Sequence, residues 1–223
     1  MMNTRKFIFN PLFILLTIMP LFSLGQEFNY EKAWKDISKL EADGKTRDAL
    51  TQVEGILNTA EEENNDPQYI KGLFYWMRYQ QVIEEKSDSL IWDRMMSEKE
   101  KGSAARKAVW ISFVASFIQQ YYENNRWQIG NRTQVEITPN DFKTWDARTF
   151  LDQIKTYYIA SLDAPESLQQ ISTKDFGSII VKGNVDQMYR PTLYDILAFR
   201  AITFFQNSAN ILPEPRNEFQ LTT

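Results

Sequence analysis

From Tyr30 the apolar positions fall at Tyr30, Ala33, Trp34, Ile37 and Leu40, the spacing of one helix face, and Gly44 stands where that helix should end. A second stripe, Ala49, Leu50, Val53, Ile56, Leu57 and Ala60, predicts a helix capped by Thr46. The short linker between the two makes them an antiparallel hairpin. Asp66-Pro67 restarts the pattern, with Asp66 as cap and Pro67 in the first turn, and Ile70, Leu73, Phe74 and Met77 follow. A weaker helix after Ser87-Asp88 holds Leu90, Ile91, Met95 and Met96 and runs into 98-EKEKG-102, which reads as a solvated helix end.

A long helix is predicted from about Ser103 to Asn124, with Ala108, Val109, Ser112, Phe113, Ser116, Phe117 and Tyr121 near one face. The stretch 125-NRWQIGNRT-133 interrupts it, and residues 133–138 alternate briefly, so an irregular loop with a short extended segment is expected around 126–143. Helix returns from Thr144 to about Ala164-Pro165, with a further turn around Glu166 to Gln170. The stretch 172-STKDFGSIIVKGN-184 is irregular, with Ile179, Ile180 and Val181 as an apolar plug, and 192-TLYDILAFRAITFF-205 is the last clear helix. The fold class is therefore all-α. Hairpins of about 35 to 40 residues, with Trp34, Gly44, Ala49 and Ala60 placed as in tetratricopeptide repeats, suggest a repeat-like solenoid or an irregular bundle.

The ends of the chain carry other signals. Arg5 and Lys6 precede an apolar run from Phe7 to Leu24, and Ser23-Leu24-Gly25 offers small residues before Gln26, so residues 1–25 read as a secretory signal. Residues 26–212 are then the helical domain. The tail 213–223, with Pro213 and Pro215, looks like the start of a further β domain. Export to the periplasm or cell surface follows, with no membrane span left after cleavage. Gln26 stands where a lipoprotein would need cysteine.

Composition removes most chemistry. The 223 residues include no histidine and no cysteine, which excludes serine and cysteine triads, the usual zinc sites and disulfides. No glycine-rich phosphate loop occurs, and 61-EEENND-66 lacks the alternating ligands of a calcium loop. Without Arg5 and Lys6, 23 basic residues face 29 acidic ones, a net charge of −6 that carries no footprint for nucleic acid. No catalytic residue, cofactor or metal ligand is assigned.

Five residues stand out as candidates for an interaction surface or a structural joint. Arg126 and Arg132 admit two readings: a clamp on a carboxylate or phosphate that Gly130 lets approach closely, or a joint in which they bind nearby acids or helix-end carbonyls. The joint is preferred, with Trp127 plugging the core and Gly130 turning the chain, because no second anion-binding element is visible. Asn131-Arg132-Thr133 is formally a glycosylation sequon, though nothing else points to that compartment. Trp92 and Trp110 fit their stripes least well and are the expected exposed contact residues.

Taken together, 119-QQYYENNRWQIGNRT-133, 141-DFKTWDARTFLDQIKTYYIASLDAPE-166 and 189-YRPTLYDILAFRAITFF-205 resemble the N-terminal helical region of the large exported alpha-2-macroglobulin-like proteins of Bacteroidetes. The resemblance spans about residues 28 to 212. It implies a non-enzymatic structural or docking module beside macroglobulin β-sandwich domains or another cell-envelope protein. The family's bait segment and cysteine-glutamine thioester have no counterpart here, so no inhibitory residue carries over. The alternative is a free-standing repeat-like periplasmic or surface module that binds peptide or glycan through aromatic side chains.

Overall fold

The computed structural model describes residues 28–133, 140–181 and 187–207. The expected signal at 1–25, the extended segment at 133–138 from residue 134 on, and the tail at 213–223 lie outside them. The described residues are mostly helical and contain no strand, only an isolated antiparallel bridge between Ser172 and Thr192.

The first hairpin pairs α1 (Tyr30–Ala42) with α2 (Thr46–Glu62). Asn29 caps α1 by accepting from the Lys32 N–H at 2.8 Å, and Gly44 makes the turn at φ +71°, where an L side chain is strained. The Tyr30 hydroxyl donates to Glu63 at 2.5 Å, so the start of α1 meets the end of α2. Thr46 does not cap α2; the N-cap position falls on Lys45, which supplies no side-chain acceptor.

Helix α3 (Asp66–Ile83) is capped by Asn65 rather than Asp66. The Asp66 carboxylate instead accepts from the Ser103 hydroxyl. Tyr79 near the end of α3 donates to Glu41 at the end of α1, and Trp34 donates to Gln68, so α1 and α3 run side by side in the same direction. Helix α4 (Ser87–Glu98) returns antiparallel, bringing Glu98 back to Tyr69. The stacked hairpins expected from the stripes are present.

From α5 (Ala104–Asn124) the arrangement changes. At about 31 Å this helix is the longest described, and α3, α4, α7, α8 and α9 all pack against it. Ala108 and Ser112 of the predicted stripe are buried, but so are Trp110, Val114, Ala115, Ile118 and Tyr122 off it, while Val109, Phe113, Phe117 and Tyr121 on it are only half-buried. A helix covered from several directions has no single apolar face to read.

A one-residue break leads to α6 (Arg126–Gly130). A 3-10 turn (Phe142–Thr144) precedes α7 (Ala147–Ala160), which Asp146 caps through the Thr149 N–H, so α7 starts three residues later than the stripe predicts. Phe150 near the start of α7 faces Tyr121 and Tyr122 near the end of α5, which makes the two antiparallel. The short α8 (Pro165–Gln169), a 3-10 turn (Gln187–Tyr189) and α9 (Leu193–Gln206) complete the described chain. Thr192 and Asp195 form a reciprocal capping box at the start of α9.

Candidate functional site

Asn125 ends α5 by turning its backbone to φ −114°, ψ 14° and bonding its side-chain amide to the Tyr121 carbonyl at 2.8 Å. Helix then resumes for five residues, with a new phase. That phase places Ile129 fully in the core and leaves Trp127 84% exposed, so the expected core plug is an outward-facing indole and Ile129 is the anchor. Gly130 does not turn the chain either: it lies inside α6 without a positive φ, and an added Cβ there meets nothing within 4 Å. Arg126 lies over the Tyr122 ring at 5.7 Å, while Arg132 donates to the Trp145 carbonyl at 2.6 Å. The two arginines take different partners. Arg132 ties the α6 end to the start of α7 through a helix-end carbonyl, one of the two kinds of partner expected for it, rather than through an acid.

Trp92 and Trp110 are buried, contrary to the expected exposure. The Trp110 indole N–H finds the Met95 carbonyl at 3.0 Å, and that of Trp92 finds the Asn140 carbonyl at 3.2 Å. A buried indole needs one acceptor, and each irregular stripe position reflects a helix buried on a second side. Trp92 packs on Phe142 and Trp145, which carries α4 onto the segment leading into α7.

The run expected to be a solvated helix end holds a buried carboxylate. Glu98 is 1% exposed, and both its oxygens are engaged. Oε1 takes Lys101 at 3.1 Å and lies 2.9 Å from Arg94, outside hydrogen-bond geometry for the Arg94 Nε. Oε2 accepts from the Tyr69 hydroxyl at 3.1 Å and from Arg106 at 3.3 Å. Arg106 also reaches Glu61 at 2.5 Å, so one cluster ties together α2, α3, α4 and α5. Burial first, and then the Glu98 charge, push the Tyr69 hydroxyl above the usual phenol range. Glu98, Tyr69, Arg106 and Lys101 satisfy one another, which suits a clamp rather than acid-base work.

Two of the hollows lined by described residues gather side chains of interest. One, of about 210 Å³, brings Asp88, Asp93 and Asp141 near Lys143, which pairs with Asp88. Among the described residues no group of three acidic side chains is arranged to hold a metal ion. The other, of about 220 Å³, opens between α3, α5 and α9. Phe74, Val109 and Phe113 form one wall, and Ile179, Ile180 and Ile196 the other. Ser112 and Arg200 are its polar residues. The Arg200 Nε donates to the Ser112 hydroxyl at 3.0 Å, and its Nη2 to the Ser112 carbonyl at 3.4 Å and to the Ser116 hydroxyl.

The stripes left Arg200 out, though a signal existed: beside Asp195 it is the one charge in the otherwise apolar and neutral run 193–206. Among the described residues no helix is long and apolar enough to cross a membrane. No family model, curated protein or solved structure matches the chain.

Proposed function

We propose that the chain is a non-enzymatic helical docking module of an exported alpha-2-macroglobulin-like protein, working in the periplasm or at the cell surface. The outer face of α9 carries this reading. Phe199, Ile202 and Phe205 recur three apart there and are 44%, 50% and 44% exposed, on the side opposite Leu193, Leu197 and Arg200. Scattered exposed apolar residues are ordinary, but three along one helix face mark a surface suited to a partner. The same helix is built from the Arg190-Pro191-Thr192 start and Phe204-Phe205 end that carry the family resemblance. The partner proposed for that face is a macroglobulin β-sandwich domain. The signal-like run at 1–25 supports export, and the mutual satisfaction of Glu98, Tyr69 and Arg106 supports a structural role.

The test is the reading frame beyond codon 223, followed by photo-crosslinking from position 202 in the protein it encodes. A continuous frame of β-sandwich domains, with cross-links from 202 into one of them, supports the reading. A stop after Thr223 with no macroglobulin gene alongside, or cross-links that never reach a β domain, overturns it. A second reading, a free-standing module for peptide or glycan, is favoured by the outward indole of Trp127, which offers a stacking surface.

A further inference from the structure

The hollow between α3, α5 and α9 differs from ordinary packing defects in where its polarity lies. Its walls are aromatic and aliphatic, and its polar groups, Ser112 and Arg200, contact each other. Arginine is always charged and offers five N–H donors. Here Nε and Nη2 are spent on the Ser112 hydroxyl and carbonyl and the Ser116 hydroxyl, all neutral acceptors. Among the described residues no carboxylate pairs with Arg200, and none supplies an acceptor to the Nη1 hydrogens. A half-buried cation on an apolar hollow with neutral partners is charge-complementary to an anion that brings its own hydrocarbon.

We infer that this hollow binds a small apolar monocarboxylate, with its alkyl or aryl body between Phe74, Val109, Phe113 and Ile196 and its carboxylate on Arg200. Among the described residues Arg200 is the one cation lining the hollow, and a carboxylate, rather than a doubly charged phosphate, suits a single guanidinium. Its 220 Å³ lies below the roughly 300–1,000 Å³ of sites for drug-sized ligands and holds about seven to nine heavy atoms at the ~25–30 Å³ each occupies in a liquid. Hexanoate and benzoate are of that size. The site is independent of the outer α9 face and of the docking role proposed for it.

The experiment titrates the purified chain with hexanoate and, in parallel, with hexanamide, its uncharged isostere, by calorimetry and ligand-observed NMR. Hexanoate is expected to saturate one site with Kd on the order of 0.1–1 mM, at least about tenfold tighter than the amide. Arg200→Gln should remove that preference and leave the amide unchanged. Since Arg200 also braces Ser112 and Ser116, Ile196→Trp, which fills the hollow and keeps the arginine, provides a second arm and should abolish binding of both ligands. Equal affinity for acid and amide in the unaltered chain, a preference for the acid that survives Arg200→Gln, binding of either ligand that survives Ile196→Trp in a folded variant, or no binding by about 10 mM would each overturn the assignment.

Discussion

The guanidinium of Arg106 sits over the ring of Tyr69, 3.4 Å from its centroid, while the hydroxyl of that ring and the guanidinium both donate to the same oxygen of Glu98. The carboxylate is thus the centre of a cluster in which Arg106 is out of water while Arg94 and Lys101 stay partly in it. Glu98→Ala takes the acceptor from Tyr69 and one of its two carboxylates from Arg106, which keeps Glu61, and is expected to cost about 1–3 kcal/mol in urea unfolding. Asp36→Asn removes a surface, solvent-screened ion pair with Lys39 and should leave the urea midpoint nearly where it was.

Gly102 stands at φ +82°, and a Cβ added there would lie 2.2 Å from Cδ of Arg106. Gly102→Ala therefore combines left-handed strain with displacement of the clamp, and a loss of at least about 1–2 kcal/mol is expected. Gly130→Ala enters open space in a helix and should be neutral or stabilising by up to about 1 kcal/mol. Thermal melts of the two variants shifting in opposite directions would check the pair. Equal losses would refute the placement of Gly130.

The tryptophans should divide by burial. Trp110→Ala empties a fully buried site and loses its bond to the Met95 carbonyl, at a cost of about 3–5 kcal/mol. Trp127→Ala should change stability by less than about 0.5 kcal/mol, since its indole stands in solvent. Trp127 emission should be quenched by iodide or acrylamide in the native protein. An unfolding cost for Trp127→Ala near that of Trp110→Ala would restore the core role first assigned to it.

Tyr30, Tyr69, Tyr79 and Tyr157 are all pushed above the ordinary phenol range, chiefly by burial, with Glu63 adding to the effect at Tyr30. A folded-state pKa above the unfolded value near 10 means that the native state holds these protons longer. The stability they contribute is complete below about pH 10 and is lost as the pH climbs towards the folded values. Absorbance at 295 nm should show these tyrosines ionising late, with a sharp rise at alkaline unfolding. A titration matching free tyrosine throughout would contradict their burial.

Helix starts and turns were largely legible because their signals are local. Gly44 stops α1, Pro67 enters α3 and Thr192 opens α9, each through backbone chemistry within a few residues. Capping residues slipped by one position where neighbours compete, as Asn65 did with Asp66. Burial on α5 was not legible, because periodicity assumes one covered face. The exchange of Trp127 for Ile129 follows from the break at Asn125, which resets the helical phase without any glycine or proline to announce it. The Glu98 cluster was invisible for another reason: Glu61 pairs with Arg106 across 45 residues of chain, and Tyr69 with Glu98 across 29.

Helix α5 also constrains how this protein can vary. In an open array each hairpin touches only its neighbours, so lineages lengthen or shorten the array by copying or deleting units. Here the helices on both sides of α5 lean on the same 21 residues. A hairpin inserted between α5 and α9 would pull Arg200 from Ser112, and one inserted between α5 and α7 would pull Phe150 from Tyr122. Change is therefore channelled into the loops and outer faces, where partners can be exchanged without rebuilding the interior.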